Sequence, residues 1–359
     1  MFSSFTGSFT FGKRKKAVPI AGLYSFSTFT FTAGNTTGRT GPNLATLQSA
    51  YSAQTWASNT SYFNMTTQGY QRWTVPITGT YTIRAAGSRA GKHASQIYAS
   101  GDGAIIEGQV SLTQGDILEI ICGQYLDTTN GSVATYAGLG GGGGSFVNNA
   151  TASTLLFAAG GGGGACTYGS TTPTGYAGEN GRTSTSGGPG NVPNSGVGGT
   201  GGSGGGIYTT IACNYRGGSG GGWTGNGKNG DNTAATVSPG GTYGGGGFGY
   251  PSGFIGGTYG TQWSNPSTWA STYGGFGGGG GGNGIISGGA GGGYSGGGVS
   301  SANTYIMAAG GGGSFIHSSA TNISTSDGNY DGVATFNGAA ISNLASFNSG
   351  AGYVTITKV

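Results

Sequence analysis

Two histidines, nine carboxylates and three cysteines are all that this 359-residue sequence offers to acid–base, nucleophilic or metal chemistry. His93 and His317 lie far apart, so neither a His-dependent nucleophile nor a His-rich metal site is expected. The acids are Asp102, Glu107, Asp116, Glu119, Asp127, Glu179, Asp231, Asp327 and Asp331. Most stand beside Gly or Asn, where a short carboxylate bonds its own turn. "DGNYD", Asp327 to Asp331, reads as a turn in preference to a weak cation loop. "GWTGNGKN", Gly222 to Asn229, approaches a phosphate-binding loop, but Asn229 replaces the Ser or Thr that would hold Mg²⁺. It also lacks a strand before it and a helical pattern after it. No catalytic constellation forms, so neither an enzyme nor a cofactor nor a bound metal is expected.

Cys122, Cys166 and Cys213 are odd in number and lack metal-knuckle spacing. They read as buried thiols, with a Cys166–Cys213 bridge as the alternative if the protein matures outside a cell. Five N-x-S/T sequons begin at Asn35, Asn59, Asn64, Asn149 and Asn322, as chance predicts in a chain so rich in Ser and Thr.

The net charge is +4, and Lys13, Arg14, Lys15 and Lys16 supply all of it. The remaining charges balance, which argues against a broad nucleic-acid surface. The tetrad is a solvated tail, an anchor on an acidic partner, or a nuclear signal. No apolar run approaches the ~20 residues of a membrane helix. Basic residues follow the semi-apolar start and no apolar region comes after them, so classical secretion is not expected.

The elements that would position any site are mostly β. "YSFSTFTFT" from Tyr24 alternates aromatic and hydroxyl residues, the period of a half-buried strand. Strands are expected at Trp73–Val75 and Thr80–Ala85, and at 104–112 and 117–122 as a hairpin turning at Thr113–Asp116. "TLLFAAGG", "TYIMAAGG" and the closing "GYVTITKV" give three more. One helix is expected within 41–54, where Leu44, Leu47, Ala50 and Tyr51 share a face after a Pro. Many short strands at this spacing imply a sandwich or jelly roll.

Of the 87 glycines, 66 fall between Gly138 and Gly313, which marks that stretch as a separate problem. A flexible linker would not carry Phe248, Tyr250, Phe254, Trp263, Trp269, Phe276 and Tyr294 as regular punctuation. Clusters of three to six glycines instead suit a left-handed threefold helix without internal hydrogen bonds. Such helices, having no side chains, would approach closely and bond sideways into a lattice. In Gly274 to Gly298 the expected turns fall at Asn283–Ser287 and near Tyr294. The loops at the lattice ends, 207–216 and 248–273, offer Tyr208, Tyr215, Tyr250, Trp263 and Trp269 either as exposed contacts or as buried aromatics that cap the lattice.

Several strings then occur in an informative order: "FTFTAGNTTGRTGP" (29–42), "WTVPITGTYTIRAAGSRAGK" (73–92), "QVSLTQGDILEIICGQ" (109–124), "GGGGGSFV" (140–147), "LLFAAGGGGG" (155–164), "GGFGGGGGGNG" (274–284) and "GAGYVTI" (350–356). Together they resemble the glycine-rich extracellular domain of anaplastic lymphoma kinase and leukocyte receptor tyrosine kinase. The resemblance implies a mainly β fold, a TNF-like jelly-roll sandwich with an inserted polyglycine-II helix bundle. It divides the chain into a basic tail (1–22), a first jelly-roll segment (23–137), the glycine insertion (138–304) and a closing jelly-roll segment (305–359). The receptors bind small cytokines, but this sequence lacks their kinase, most of their cysteines and acidic residues for basic ligands. That role is therefore not carried over.

Glycine-rich lattices also resemble phage tip adhesins, and "SFTGSFTFGKRKK" is similar to the starts of some virion proteins. The expectation is a non-enzymatic virion surface protein: a spike, fibre or decoration protein, made in a host cytoplasm. Lys13, Arg14, Lys15 and Lys16 would anchor it to other virion proteins. Its further partners would be a host surface receptor or glycan and copies of itself, not nucleic acid. The alternative is a ligand-binding module of a receptor-like or secreted extracellular protein.

Overall fold

The computed structural model describes residues 21–94, 96–128, 136–168, 174–190, 196–208, 216–235, 243–260, 270–271, 273–283, 287–300 and 308–359. The tetrad Lys13, Arg14, Lys15 and Lys16, together with Cys213, Tyr215, Trp263, Trp269 and the first half of the strand expected in "TYIMAAGG", lies outside them.

The chain is mainly β. Its first strands are β1 (Thr28–Phe31), β2 (Phe63–Asn64), β3 (Gln71–Thr74), β4 (Gly79–Ala86), β5 (Ile105–Leu112) and β6 (Ile117–Ile121). Then come β7 (Tyr136–Gly138), β8 (Ser145–Asn149), β9 (Thr154–Ala159), β10 (Cys166–Tyr168), β11 (Thr174–Tyr176) and β12 (Ala270–Ser271). The last are β13 (Phe315–Ile316), β14 (Thr321–Thr325), β15 (Thr335–Phe336), β16 (Ala339–Ala340), β17 (Ser342–Asn343) and β18 (Tyr353–Lys358). Two six-stranded sheets form a sandwich, in the orders β1-β18-β4-β5-β14-β17 and β13-β9-β8-β6-β3-β2. Strands β8 and β9 fall inside the stretch 138–304, yet they pair within the second of these sheets. A four-stranded sheet, β11-β10-β7-β12, lies among the glycine segments.

One expected pairing is corrected. Strands β5 and β6 do not form a hairpin with each other. Strand β5 pairs with β4 in the first sheet, and β6 pairs with β3 in the second. The ribbon of β3–β4 lies against β5–β6 and bends from one sheet into the other at two adjacent corners. Those corners bond to each other: the Val75 amide donates to Asp116 O at 2.8 Å and the Gly115 amide donates to Val75 O at 2.9 Å. Pro76 follows at the first corner and has no amide to continue a ladder. Gly115 holds φ +89 at the second, a conformation that side chains rarely adopt.

The two sheets read differently in sequence because they are covered differently. Strand β4, "GTYTIRAA", alternates: Tyr81, Ile83 and Ala85 are buried while Thr80, Thr82 and Arg84 are not. Strand β18 alternates likewise. The inner face joins Phe31, Trp73, Tyr81, Ile83, Ile106, Leu118, Val147, Phe157 and Ile356 in one core. Strands β8 and β9 are buried along almost their whole length on both faces. Continuous apolar strands of this kind need a second layer over them, and the glycine-rich segments supply it. The helix α1 (Leu44–Ala50) is shorter than the 41–54 window. Asn43 caps it, its Oδ1 accepting from the Thr46 amide at 2.9 Å, and Leu47 enters the core.

Cys122 is a buried free thiol whose Sγ donates to Phe31 O at 3.3 Å. Burial pushes its pKa up to about 12. Burial also raises the phenols of Tyr24, Tyr51, Tyr70 and Tyr330. Raised values favour the protonated forms in the folded state, so this stability is complete below the ordinary thiol and phenol pKa values and is lost as pH rises through the raised ones. We expect no alkylation of Cys122 by iodoacetamide at pH 8 in the native state, read by peptide mass spectrometry. We also expect tyrosinate absorbance at 295 nm from these four rings only on cooperative alkaline unfolding. A gradual titration near pH 10 would show that they are not sealed.

Candidate functional site: a glycine-packed module sealed by an aromatic seam

Several of the described glycine segments bond sideways with a period of three residues. Gly141 and Gly144 donate to Gly280 and Gly277, whereas between them Gly142 donates to Gly162 and Gly143 to Gln124. Gly161 and Gly164 both turn to the segment 289–292, at Gly292 and Gly289. Gly218 and Gly221 donate to Gly281 and Gly278, and Gly291 and Tyr294 to Gly310 and Gly313. In these segments successive amides point in three directions and every third one meets the same neighbour. The pattern breaks at 277–279, where Gly277 and Gly278 both donate to Phe254 O and Gly279 donates to Gly275 O.

This geometry leaves no space for side chains. A Cβ on Gly143 would stand 1.7 Å from Phe276 O, one on Gly164 1.8 Å from Leu139 O, and one on Gly281 1.8 Å from Thr258 O. Glycine is used here because neighbouring backbones occupy the volume a side chain would need. At the expected turn, the Asn283 amide donates to Ser287 O at 2.8 Å.

The second sheet meets this module through aromatic rings. Tyr70, Ile121, Phe146, Leu155 and Ala158 cluster with Phe254 and Phe276. Phe146 stacks on Phe254 with centroids 4.1 Å apart. Trp223 stacks on Tyr250 at 4.0 Å, and Tyr250 also stacks on Tyr70 at 5.5 Å. The Tyr250 hydroxyl donates to Glu119 Oε2 at 2.7 Å, and Glu119 pairs with Arg72 at 2.5 Å. Glu119 is only 6% exposed, so these partners hold a nearly buried carboxylate. Tyr250→Phe should cost about 1 kcal/mol, read from urea midpoints. No change would mean that water replaces the phenol.

The two sequence motifs with chemical promise are absorbed into the frame. Asn229 Oδ1 accepts from the Gly246 amide at 3.0 Å, and its Nδ2 donates to Ala234 O at 2.7 Å. The Gly222 amide donates to Gly225 O, so "GWTGNGKN" turns on itself and gives Trp223 to the seam. Asp327 accepts from Thr183 Oγ1 at 2.8 Å, and Asp331 accepts from the Thr185 amide at 2.6 Å. Those carboxylates clamp one glycine-segment loop to the end of the sandwich. His317 Nδ1 lies 2.8 Å from Ser319 Oγ at the surface, and His93 is buried. Among the described residues no three His, Cys, Asp or Glu gather as a metal site, and no helix is long and apolar enough to cross a membrane.

Of the expected contact aromatics, Tyr208 is half-buried, its amide donating to Val299 O at 3.3 Å. Tyr250 is half-buried with both ring and hydroxyl engaged in the seam. Sequence reasoning missed Tyr70 and Phe146 as the other side of that seam. The available signal was the unbroken apolar run of "TLLFAA", which demands a cover. No protein-family model and no curated protein matches this chain.

Proposed function

We propose that the chain is a non-enzymatic structural protein of a virus-particle surface: a spike, fibre or decoration protein. In this reading the sandwich is a TNF-like jelly roll and the glycine segments are an inserted polyglycine-II helix bundle. The observation that carries the reading is the three-residue period of the lateral hydrogen bonds. A left-handed helix with three residues per turn and a rise of ~3.1 Å directs its amides in this way. A module whose interior is backbone holds loops rigidly but offers few side chains for catalysis. Such a module suits display. The basic tetrad Lys13, Arg14, Lys15 and Lys16 is the proposed anchor, with the rest of the chain balanced in charge.

The test is quantitative mass spectrometry of purified particles against infected-cell lysate, with and without replacement of the four basic residues by alanine. Enrichment of the parent chain in particles, lost in the variant, is the expected result. Absence of the parent chain from particles overturns the proposal and favours a receptor-like or secreted module. Equal enrichment of both chains removes the tetrad from the anchor.

A further inference from the structure

The outer face of the first sheet carries two rows of polar side chains across five strands. Register places Thr30, Thr355, Arg84, Glu107 and Ser324 in one row. The second row is Thr28, Thr357, Thr82, Gln109 and Thr321. Residues two apart on a strand place these rows roughly 7 Å from each other. Within the rows the hydroxyls bond to one another: Thr28 Oγ1 lies 2.8 Å from Thr357 Oγ1, and Thr30 Oγ1 lies 2.9 Å from Thr355 Oγ1.

Over the middle strands the face dips into a shallow depression of about 340 Å³ lined by Thr82, Arg84, Glu107, Tyr353, Thr355 and Thr357. Arg84 uses its Nε to donate to Glu107 Oε2 at 2.7 Å. Among the described residues, both Nη groups of Arg84 and Oε1 of Glu107 have no hydrogen-bond partner. A forked donor and a carboxylate acceptor thus stand side by side with no net charge. Tyr353 stacks on no other ring among the described residues, which leaves it as the aromatic surface of the depression.

We propose that this depression binds a neutral pyranose through a vicinal diol. One sugar hydroxyl accepts from Arg84 Nη while its neighbour donates to Glu107 Oε1. Thr82, Thr355 and Thr357 bond the remaining hydroxyls, and the Tyr353 ring meets the sugar's C–H edge. The other ligand classes fit less well. One carboxylate is too few for a hard divalent cation. Arg84 is neutralised by Glu107, so the lining gives a polyanion no net attraction. The hydroxyl walls offer an apolar ligand little surface. The site stands apart from the particle proposal: failure here leaves particle association untouched, and absence from particles leaves the sugar titration intact.

The test is saturation-transfer NMR on the full chain with the methyl glycosides of galactose, glucose, mannose and N-acetylglucosamine. At least one should show transfer, with a dissociation constant of roughly 1 mM. Arg84→Met and Thr355→Val should each weaken it by about tenfold or more. Ser111→Ala, on the same face but outside the depression, should leave it unchanged. Melting curves confirm that each variant folds. No transfer from any of the four sugars overturns the proposal, as does transfer insensitive to both Arg84→Met and Thr355→Val. Preferential binding of a heparin fragment, abolished by salt, overturns the neutral-ligand assignment.

Discussion

Gly143→Ala should destroy the cooperative fold of the glycine module, although it adds a single methyl group. The new Cβ would stand 1.7 Å from Phe276 O, and the contacted atom is backbone, which cannot rotate away. Gly143 is also tied on both sides: its amide donates to Gln124 O and its carbonyl accepts from the Ser88 amide. Moving it would break bonds to two different segments. The expected loss exceeds about 4 kcal/mol, a large share of the ~5–15 kcal/mol that holds an ordinary domain. Gly206→Ala is the control. Its nearest contact is Val197 O at 3.4 Å, so the methyl group fits. That variant should melt at or slightly above the parent temperature, because alanine restricts the unfolded chain. Calorimetry and limited proteolysis read both. A Gly143→Ala protein that melts like the parent would mean that glycine is dispensable there.

Phe276→Ala should cost about 3–5 kcal/mol. The ring is fully buried. It lies so close to the backbone of Gly69 that a Cβ there would meet Phe276 Cζ at 2.2 Å, and one on Gly41 would meet it at 3.0 Å. Both glycines hold positive φ, at +84 and +71. The main chain of Phe276 is pinned as well: its amide donates to Gly38 O and its carbonyl accepts from the Gln124 amide, each at 2.8 Å. The truncated variant keeps the backbone bonds but leaves a cavity between the module and the sandwich. The urea midpoint should fall with the slope unchanged. A loss below about 1 kcal/mol would show that the seam collapses around the gap.

Much of the β framework was legible locally. The alternation in "GTYTIRAA" and "GYVTITKV" marks strands with one wet face, and both form. A Pro near its start and the spacing of Leu44 and Leu47 mark a helix within 41–54, and α1 forms there, capped by Asn43. The hairpin expected from 104 to 122 was a different kind of inference. Adjacent strands with a turn between them look like partners, but the turn here is a corner between sheets. No local pattern separates the two cases, because the deciding bonds run from Val75 to Asp116 and Gly115. Tyr250 shows the same limit in the candidate site. An aromatic in a glycine-rich loop reads equally as an exposed contact or as a buried cap until Glu119, Tyr70 and Trp223 are seen around it.

The sequence by itself determined that the chain is mainly β, that its charge beyond residue 16 is balanced, and that glycine is concentrated between Gly138 and Gly313. These properties follow from composition and from the two-residue period of a strand, which each segment carries within itself. Only the tertiary structure decided which glycine segment lies beside which. It alone placed the seam over β8 and β9 and gathered Arg84, Glu107 and Thr355 on one open face. The physical reason is that a glycine run has no side chain to specify its neighbour. Its partners are chosen by long-range backbone hydrogen bonds and by the aromatic residues at its ends, and those contacts exist only once the whole chain has closed.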